Sequence, residues 1–340
     1  MREVNRRIVL ASRPDGRPTP QNFRLEEVAL AKPGEGEVLC RTIYLSLDPY
    51  MRGRMNEGPS YAKPVGIGEV MEGGTVGQVV RSRLEGFAEG DLVVGYGGWQ
   101  SFVTFRRGEL EKIDPGRAPI STALGVLGMP GRTAYVGLRE IGRPQAGETL
   151  VVAAASGPVG SVVGQIARIR GCRVVGVAGS KAKCDFVLGE LGFDACLDHH
   201  ADDFQDRLRA ACPKGVDVYW ENVGGRVFEA VFPLLNNFAR VPVCGLIAWY
   251  NATGLPSGPD RTPVILRQIL TKRLTLRGFI VRDFAPGDFL AEVGGWIREG
   301  RLRYREDIRD GLENAPAALI GLLEGENFGK LLIRVGPDPT

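Results

Sequence analysis

Apolar positions follow two regimes along the chain. Up to about residue 126 they come as short runs such as Leu92-Val-Val94, set between glycine-rich turn signals, which predicts a mostly β region. From Leu127 to about Gly300, β-branched strand patterns alternate with helical stretches. The strand patterns are Val151-Val-Ala-Ala154, Arg173-Val-Val-Gly-Val-Ala178, Val216-Asp-Val-Tyr-Trp220, Ala239-Arg-Val-Pro-Val-Cys244 and Leu274-Thr-Leu-Arg-Gly-Phe-Ile-Val281. Such alternation predicts an α/β doubly wound parallel sheet. The last forty residues, ending in Lys330-Leu-Leu-Ile-Arg-Val335, return to a β pattern and are expected to rejoin the first domain. The expected division is therefore 1–126 with 301–340, and 127–300.

The stretch Val151-Val-Ala-Ala-Ala-Ser-Gly-Pro-Val-Gly160 passes from a strand through close glycines into a helical pattern running to Arg170. Gly157 would let backbone approach a pyrophosphate, with Pro158 and Val159 completing the turn, and Gly160 would let the helix pack against the strand. The helix N-terminus adds free N–H groups and a positive dipole end. Ala155 stands where the usual G-x-G-x-x-G has its first glycine, so the βαβ context carries the reading.

The end of the second strand separates the two nicotinamide cofactors. A carboxylate there would bind the NAD ribose, whereas a cationic, small-residue surface suits the 2′-phosphate of NADP. The chain reads Ala178-Gly-Ser-Lys-Ala-Lys183. Lys181 and Lys183 can attract a phosphate and the Ser180 hydroxyl can donate to it, which favours NADP(H); the lesser alternative, weaker for Lys183 than for Lys181, is a solvated charge at a helix start. At later strand ends, Asn222-Val-Gly-Gly225 and Cys244-Gly245 are expected cofactor contacts, with simple turns or core packing as the alternative.

Composition narrows the class. A 340-residue chain with 44% hydrophobic residues can build about two full cores. A net charge of +3, with both signs interleaved, gives no footprint for nucleic acid. No apolar run reaches membrane-span length, and no signal-peptide core follows Met1-Arg-Glu-Val-Asn-Arg-Arg7, so a cytoplasmic protein with no membrane partner is expected. Six scattered cysteines lack a C-x-x-C pair and are expected to be reduced and buried. The two histidines, His199 and His200, are adjacent and cannot make a scattered zinc triad.

Several motifs occur together: Leu47-Asp-Pro-Tyr-Met-Arg52, Gly128-Met-Pro-Gly-Arg-Thr-Ala-Tyr135, Ala154-Ala-Ser-Gly-Pro-Val-Gly-Ser-Val-Val-Gly-Gln165, Glu221-Asn-Val-Gly-Gly225, Trp249-Tyr-Asn251 and Asn327-Phe-Gly-Lys330. With them the chain resembles the medium-chain dehydrogenase/reductase superfamily, in its zinc-independent branch of prostaglandin reductases, leukotriene dehydrogenases, double-bond reductases and bacterial curcumin-reductase-type enzymes. The resemblance spans nearly the whole chain. It implies a Rossmann NADP-binding domain and a mostly β GroES-like catalytic domain. The zinc-using relatives carry a Gly-His-Glu ligand sequence where this chain has Gly66-Ile-Gly-Glu69.

The resemblance further implies conjugate reduction of an unsaturated carbonyl compound by NADPH, in which the protein positions reactants and stabilises charge. It marks Tyr250 as the hydroxyl that hydrogen-bonds the developing enolate oxygen. It assigns Gly157 to Gly160 to the pyrophosphate, Lys183 to the 2′-phosphate, and Asn222 to the ribose or nicotinamide side. Backbone atoms of Phe279 and Val281 would meet the carboxamide, and Asn327 would reach the cofactor from the returning segment. His199 stands where relatives often have a tyrosine near the 2′-phosphate, and a histidine there can donate a hydrogen bond. Tyr50 either caps the substrate pocket or simply packs beside its proline turn. Trp99, Trp249 and Leu255-Pro-Ser-Gly-Pro259 are candidate pocket segments, and a homodimer is expected. The alternatives are a quinone reductase of the same superfamily, oxidation of a lipid hydroxyl, or a nucleotide-binding regulator without turnover.

Overall fold

The computed structural model describes residues 4–58, 60–255 and 258–340. The chain divides into two compact units. One comprises the chain up to Gly125, Tyr250–Thr253 and Glu306–Thr340; the other comprises Val126–Trp249 and Gly254–Arg305. Tyr250–Thr253, inside the 127–300 stretch of the sequence reading, cluster with the first unit.

The first unit opens with strands β1 (Val4–Leu10) and β2 (Phe23–Ala29), an antiparallel pair. There follow β3 (Glu37–Ser46), a one-turn helix α1 (Met51–Arg54), β4 (Thr75–Ser82), β5 (Leu92–Gly95), β6 (Phe102–Arg106) and β7 (Leu110–Lys112).

The second unit contains α2 (Met129–Gly137), β8 (Thr149–Ala153), α3 (Gly160–Ile169), β9 (Arg173–Ala178), α4 (Lys181–Gly189), β10 (Ala195–Asp198) and α5 (Phe204–Ala211). It continues through β11 (Val216–Trp220), α6 (Gly225–Val231), β12 (Leu235–Val243), α7 (Thr262–Lys272), β13 (Thr275–Gly278) and α8 (Phe289–Arg298). The chain then returns to the first unit with β14 (Glu306–Asp310), α9 (Ala315–Leu323) and β15 (Lys330–Arg334).

In the first unit, β3 is the organising strand. It pairs with β4 along one side and with β6 and β15 along the other, and it is buried over most of its length. Ile8, Leu45, Leu47, Met51, Trp99, Leu319 and Ile333 form one apolar cluster of this unit, with Trp99 stacked on Phe23 at 5.6 Å. Within that core, Lys330 Nζ donates to Asp48 Oδ1 at 2.7 Å and to Leu47 O at 2.8 Å. Ser46 Oγ donates to the other carboxylate oxygen. Removing one partner of such a buried pair costs about 3–5 kcal/mol, because the other is left uncompensated.

The second unit is built on a six-stranded, wholly parallel sheet in the order β10-β9-β8-β11-β12-β13. All of β8 is buried, as a strand covered by helices on both faces requires. Two predicted strands shift. β12 begins at Leu235, where Phe238 adopts φ +65°, and the run expected to 281 stops at Gly278 before a 3-10 turn at Val281–Asp283. Among the described residues β13 is an edge strand whose ladder with β12 ends at Gly278.

The glycines set the spacing. A Cβ at Gly160 would lie 2.3 Å from the Ala154 carbonyl oxygen, and one at Gly164 would strike the Phe193 ring at 1.9 Å. Ala155, in place of the usual glycine, is accommodated by Gly176 of β9, where an added Cβ would come within 2.8 Å of the Ala155 methyl. Gly176→Ala is therefore expected to cost about 1–3 kcal/mol by overpacking. Adding Ala155→Gly should recover part of that loss, read from urea unfolding midpoints of the two variants.

Candidate active site

The strand order reverses direction between β8 and β11, and in open α/β sheets ligands lie at such a point, outside the carboxyl ends of the strands. The loops there carry Gly157, Pro158, Val159 and Gly160 after β8, Ser180 and Lys183 after β9, and His199 after β10. Asn222 follows β11, Cys244 and Gly245 follow β12, and Phe279 and Val281 follow β13. The fold thus brings these residues to one end of one sheet. Tyr50, Tyr250 and Asn327 belong to the other unit.

The loop after β8 is tightly held. Ala154 takes φ +53°, an uncommon conformation for a residue with a Cβ. Its carbonyl accepts from Gly157 N at 3.0 Å, while Ala155 N donates to Val177 O of β9 at 2.9 Å. α3 starts at Gly160 with no acidic residue in its first turn, so its positive dipole end is not neutralised from within the helix.

At the end of β9, Ser180 caps α4 by accepting from Lys183 N at 3.3 Å, which leaves its O–H to donate elsewhere. Lys181 is instead drawn to Asp185 at 2.7 Å on an exposed helix face. His199 Nδ1 lies 2.7 Å from the Ala178 carbonyl and so carries the proton of the neutral ring. Nε2 is then an acceptor, and the donor expected from the sequence exists only in the protonated imidazole. Burial holds the His199 pKa below its ordinary value, against the Ala178 hydrogen bond and with the help of His200.

Glu221 organises the β11 end. It is 1% exposed; one carboxylate oxygen accepts from Val223 N and Gly224 N, the other from Tyr219 Oη at 2.8 Å. Burial pushes its pKa up despite these donors. Its carbonyl accepts from Cys244 N at 2.9 Å and Gly245 N at 3.2 Å, joining the ends of β11 and β12. Asn222 is engaged at both ends of its amide, donating to Ala153 O at 2.8 Å and accepting from Trp220 Nε1 at 3.1 Å. The Trp249 indole lies against Gly224, where a Cβ would meet Nε1 at 2.6 Å. The Phe279 ring packs edge-on to Trp220 at 5.8 Å.

In the first unit, Tyr50 packs on the Met51 and Met55 cluster beneath Arg54, 5.5 Å away. Burial pushes its phenol pKa well up, with Asp48 and Tyr96 adding to the effect. Asn327 donates to Gly329 O at 2.8 Å. Tyr250 is half-buried and follows the 3-10 turn Ile247–Trp249. Trp99 is wholly buried, which removes it from the candidate pocket segments. Leu255 is 97% exposed, and Pro256 and Ser257 lie outside the described residues.

Two buried polar groups escaped the sequence reading, Glu221 and Arg52. An acid between a β-branched strand and Val-Gly-Gly was a usable signal for the first, since such a turn needs acceptors for its N–H groups. Nothing in the local sequence marks Arg52 as buried.

The fold and the strand-end loops define a two-domain oxidoreductase, and the chain belongs to the medium-chain dehydrogenase/reductase superfamily. Residues 6–113 match the family described as the N-terminal domain of oxidoreductase, and 158–294 that described as zinc-binding dehydrogenase. The chain is 58% identical over 340 residues to the NADPH-dependent curcumin reductase of Escherichia coli K12, covering 99% of each. It is 40% identical to prostaglandin reductase 1 of Bos taurus, covering 94% of this chain and 95% of that one. A crystal structure of CurA from Vibrio vulnificus in complex with NADPH superposes with a TM-score of 0.95 at 53% identity, covering 98% of this chain and 100% of the other.

The direction of the His199 shift fixes a pH dependence. Because its folded pKa lies below the unfolded value of 6.5, the unfolded chain binds the proton first, so its contribution to stability is present above that value and is lost as pH falls through the folded pKa. Unfolding free energy from urea titrations is expected to decline as pH drops below about 6.5, and His199→Gln should flatten that limb.

Proposed function

We propose that the chain is an NADPH-dependent reductase of the carbon–carbon double bond in α,β-unsaturated aldehydes and ketones, working without a metal. Its substrates are 2-alkenals and enones of the curcuminoid or 15-oxoprostaglandin kind. The observation that carries the reading is the end of β9. Its residues 178–183 include no carboxylate and bring Ser180 and Lys183 to the strand end that carries the glycine loop, in a chain 58% identical to an NADPH-dependent curcumin reductase. In the Ala154–Gly160 loop an added Cβ at Gly157 would meet only the Ala154 carbonyl oxygen, at 3.2 Å, whereas Gly160 is packed against that carbonyl, which supports Gly157 as the point of approach for a pyrophosphate.

In this reading the loop from Gly157 to Gly160 and the α3 N-terminus hold the pyrophosphate. Ser180 and Lys183 hold the 2′-phosphate, joined by His199 when protonated. The Asn222 amide keeps the β8 and β11 ends fixed beneath the ribose, and Cys244, Gly245, Phe279, Val281 and Asn327 complete the cofactor contacts. NADPH, when bound, supplies the hydride to the β-carbon. Tyr250 Oη donates to the carbonyl oxygen as negative charge grows there, and such a donor contributes about 2.7–4 kcal/mol to the transition state.

The ligand inventory supports chemistry without zinc. Glu69 closes its own turn by accepting from Gly66 N at 2.8 Å. Among the described residues, the one grouping of metal-type ligands is Asp198, His199 and His200, whose His199 Nδ1 faces a carbonyl.

A homodimer through the edge of the second sheet belongs to the same proposal. Among the described residues β13 has no partner on its outer side, and Val264, Leu266, Leu270 and Phe238 are exposed. No helix among the described residues is long and apolar enough to cross a membrane.

The test is NADPH oxidation with a 2-alkenal, a curcuminoid, a 15-oxoprostaglandin and a quinone, repeated with NADH. Saturated-carbonyl products with strong NADPH preference are expected. Tyr250→Phe should lower kcat about a hundred- to thousandfold. Quinone-only turnover would move the chain to a quinone reductase, and cofactor binding without turnover would make it a regulator. Sedimentation equilibrium should return twice the 36.8 kDa chain mass, and Leu270→Glu should lower it; a monomer at micromolar concentration overturns the dimer.

A further inference from the structure

Arg52 is one of the most deeply buried charged groups of the first unit, 2% exposed. A guanidinium removed from water normally keeps a carboxylate beside it. Here, among the described residues, every acceptor is neutral. Arg52 donates to Gly16 O at 2.6 and 3.2 Å, to Asn56 Oδ1, and through Nε to Asn251 Oδ1 at 3.2 Å. The arrangement uses a fork of fixed N–H directions rather than charge pairing.

Its reach is specific. Asn251 directly follows Tyr250, and Tyr250–Thr253 are the four residues whose contacts lie with the first unit while both flanks cluster with the second. Gly16, with φ +71°, has the Thr253 methyl and the Asn251 carbonyl as the nearest atoms to an added Cβ, at 3.5 and 3.6 Å. The loop that supplies Arg52's carbonyl acceptor therefore also bears on the segment carrying Tyr250.

We infer that Arg52 is a positioning residue for the reduction: by binding Asn251 and the Gly16 carbonyl together, it fixes the main chain on which the Tyr250 hydroxyl is aimed. This rests on the reading of Tyr250 as the donor to the carbonyl oxygen. A lysine cannot replace the fork, because its ammonium is a point donor without the planar spacing that meets several acceptors at once.

The test is a double-mutant cycle on the full-length enzyme, with NADPH and a 2-alkenal. Arg52→Lys is expected to lower kcat about ten- to a hundredfold, the range in which small misplacements of a reacting group act, while KM for NADPH stays within about twofold. In a Tyr250→Phe background the same change should lower kcat by less than about twofold, because the group it positions is already gone. Equal losses in both backgrounds, or a rise in KM for NADPH at unchanged kcat, would overturn the inference and leave the role of Tyr250 standing. A wild-type rate for Tyr250→Phe would overturn that role and this inference with it. Where Arg52→Lys does not fold, Asn251→Ala removes the same bond from the other side and should show the same non-additivity.

Discussion

The close approach of α3 to the end of β8 is the constraint on which the nucleotide end of the sheet depends. Gly160 sits so near the Ala154 carbonyl that no side chain fits between them, and this brings the helix N-terminus to the edge of the sheet. A helix displaced by the width of a methyl group would carry its N–H groups away from the loop they complete. The same closeness propagates to β9, where Gly176 gives room to Ala155, and to Phe193, which lies against Gly164. Dense interiors transmit such displacements because few voids absorb them.

Much of this was legible in the sequence because the second unit repeats a simple rule. β-branched runs buried on both faces mark the central strands, and glycines mark where they break. β9 and β11 fall at the residues the pattern indicated. β10, only four residues long with a charged end, gave too short a run to see. The overextended 274–281 strand failed because periodicity reports apolar character and not whether a neighbour exists to hydrogen-bond it. Asn222 was legible as a polar residue at a strand end, but the use of both ends of its amide to tie two strands follows only from the pairing of β8 with β11. His199 was legible only through the resemblance; its tautomer is fixed by a carbonyl twenty-one positions earlier in the chain.

The buried polar groups share one logic. Glu221 gathers N–H donors that a turn would otherwise leave unpaired, Asp48 and Lys330 neutralise each other, and Arg52 is surrounded by carbonyl oxygens. Each is expensive to bury alone and rigid once satisfied. Rigid surroundings suit loops that must present backbone donors at fixed positions, since order already present in the free protein does not have to be created on binding.

The placement of β15 bears on how the chain acquires its structure. Residues 330–334 complete one side of β3, beside which Lys330 also reaches Asp48, so the first unit is assembled from segments separated by the whole of the second. At a synthesis rate of about 5–20 residues per second, β3 emerges roughly 15–60 seconds before the strand that covers it, while the second unit, nearly continuous in sequence, can close in the interval. During that time part of β3 presents unpaired N–H and C=O groups along an apolar strand, the kind of edge that recruits other chains. Nascent protein is thus most exposed to misassembly just before residues 330–334 leave the ribosome, which makes the timely arrival of one short strand, far along the chain from its partner, a condition for recovering the first unit.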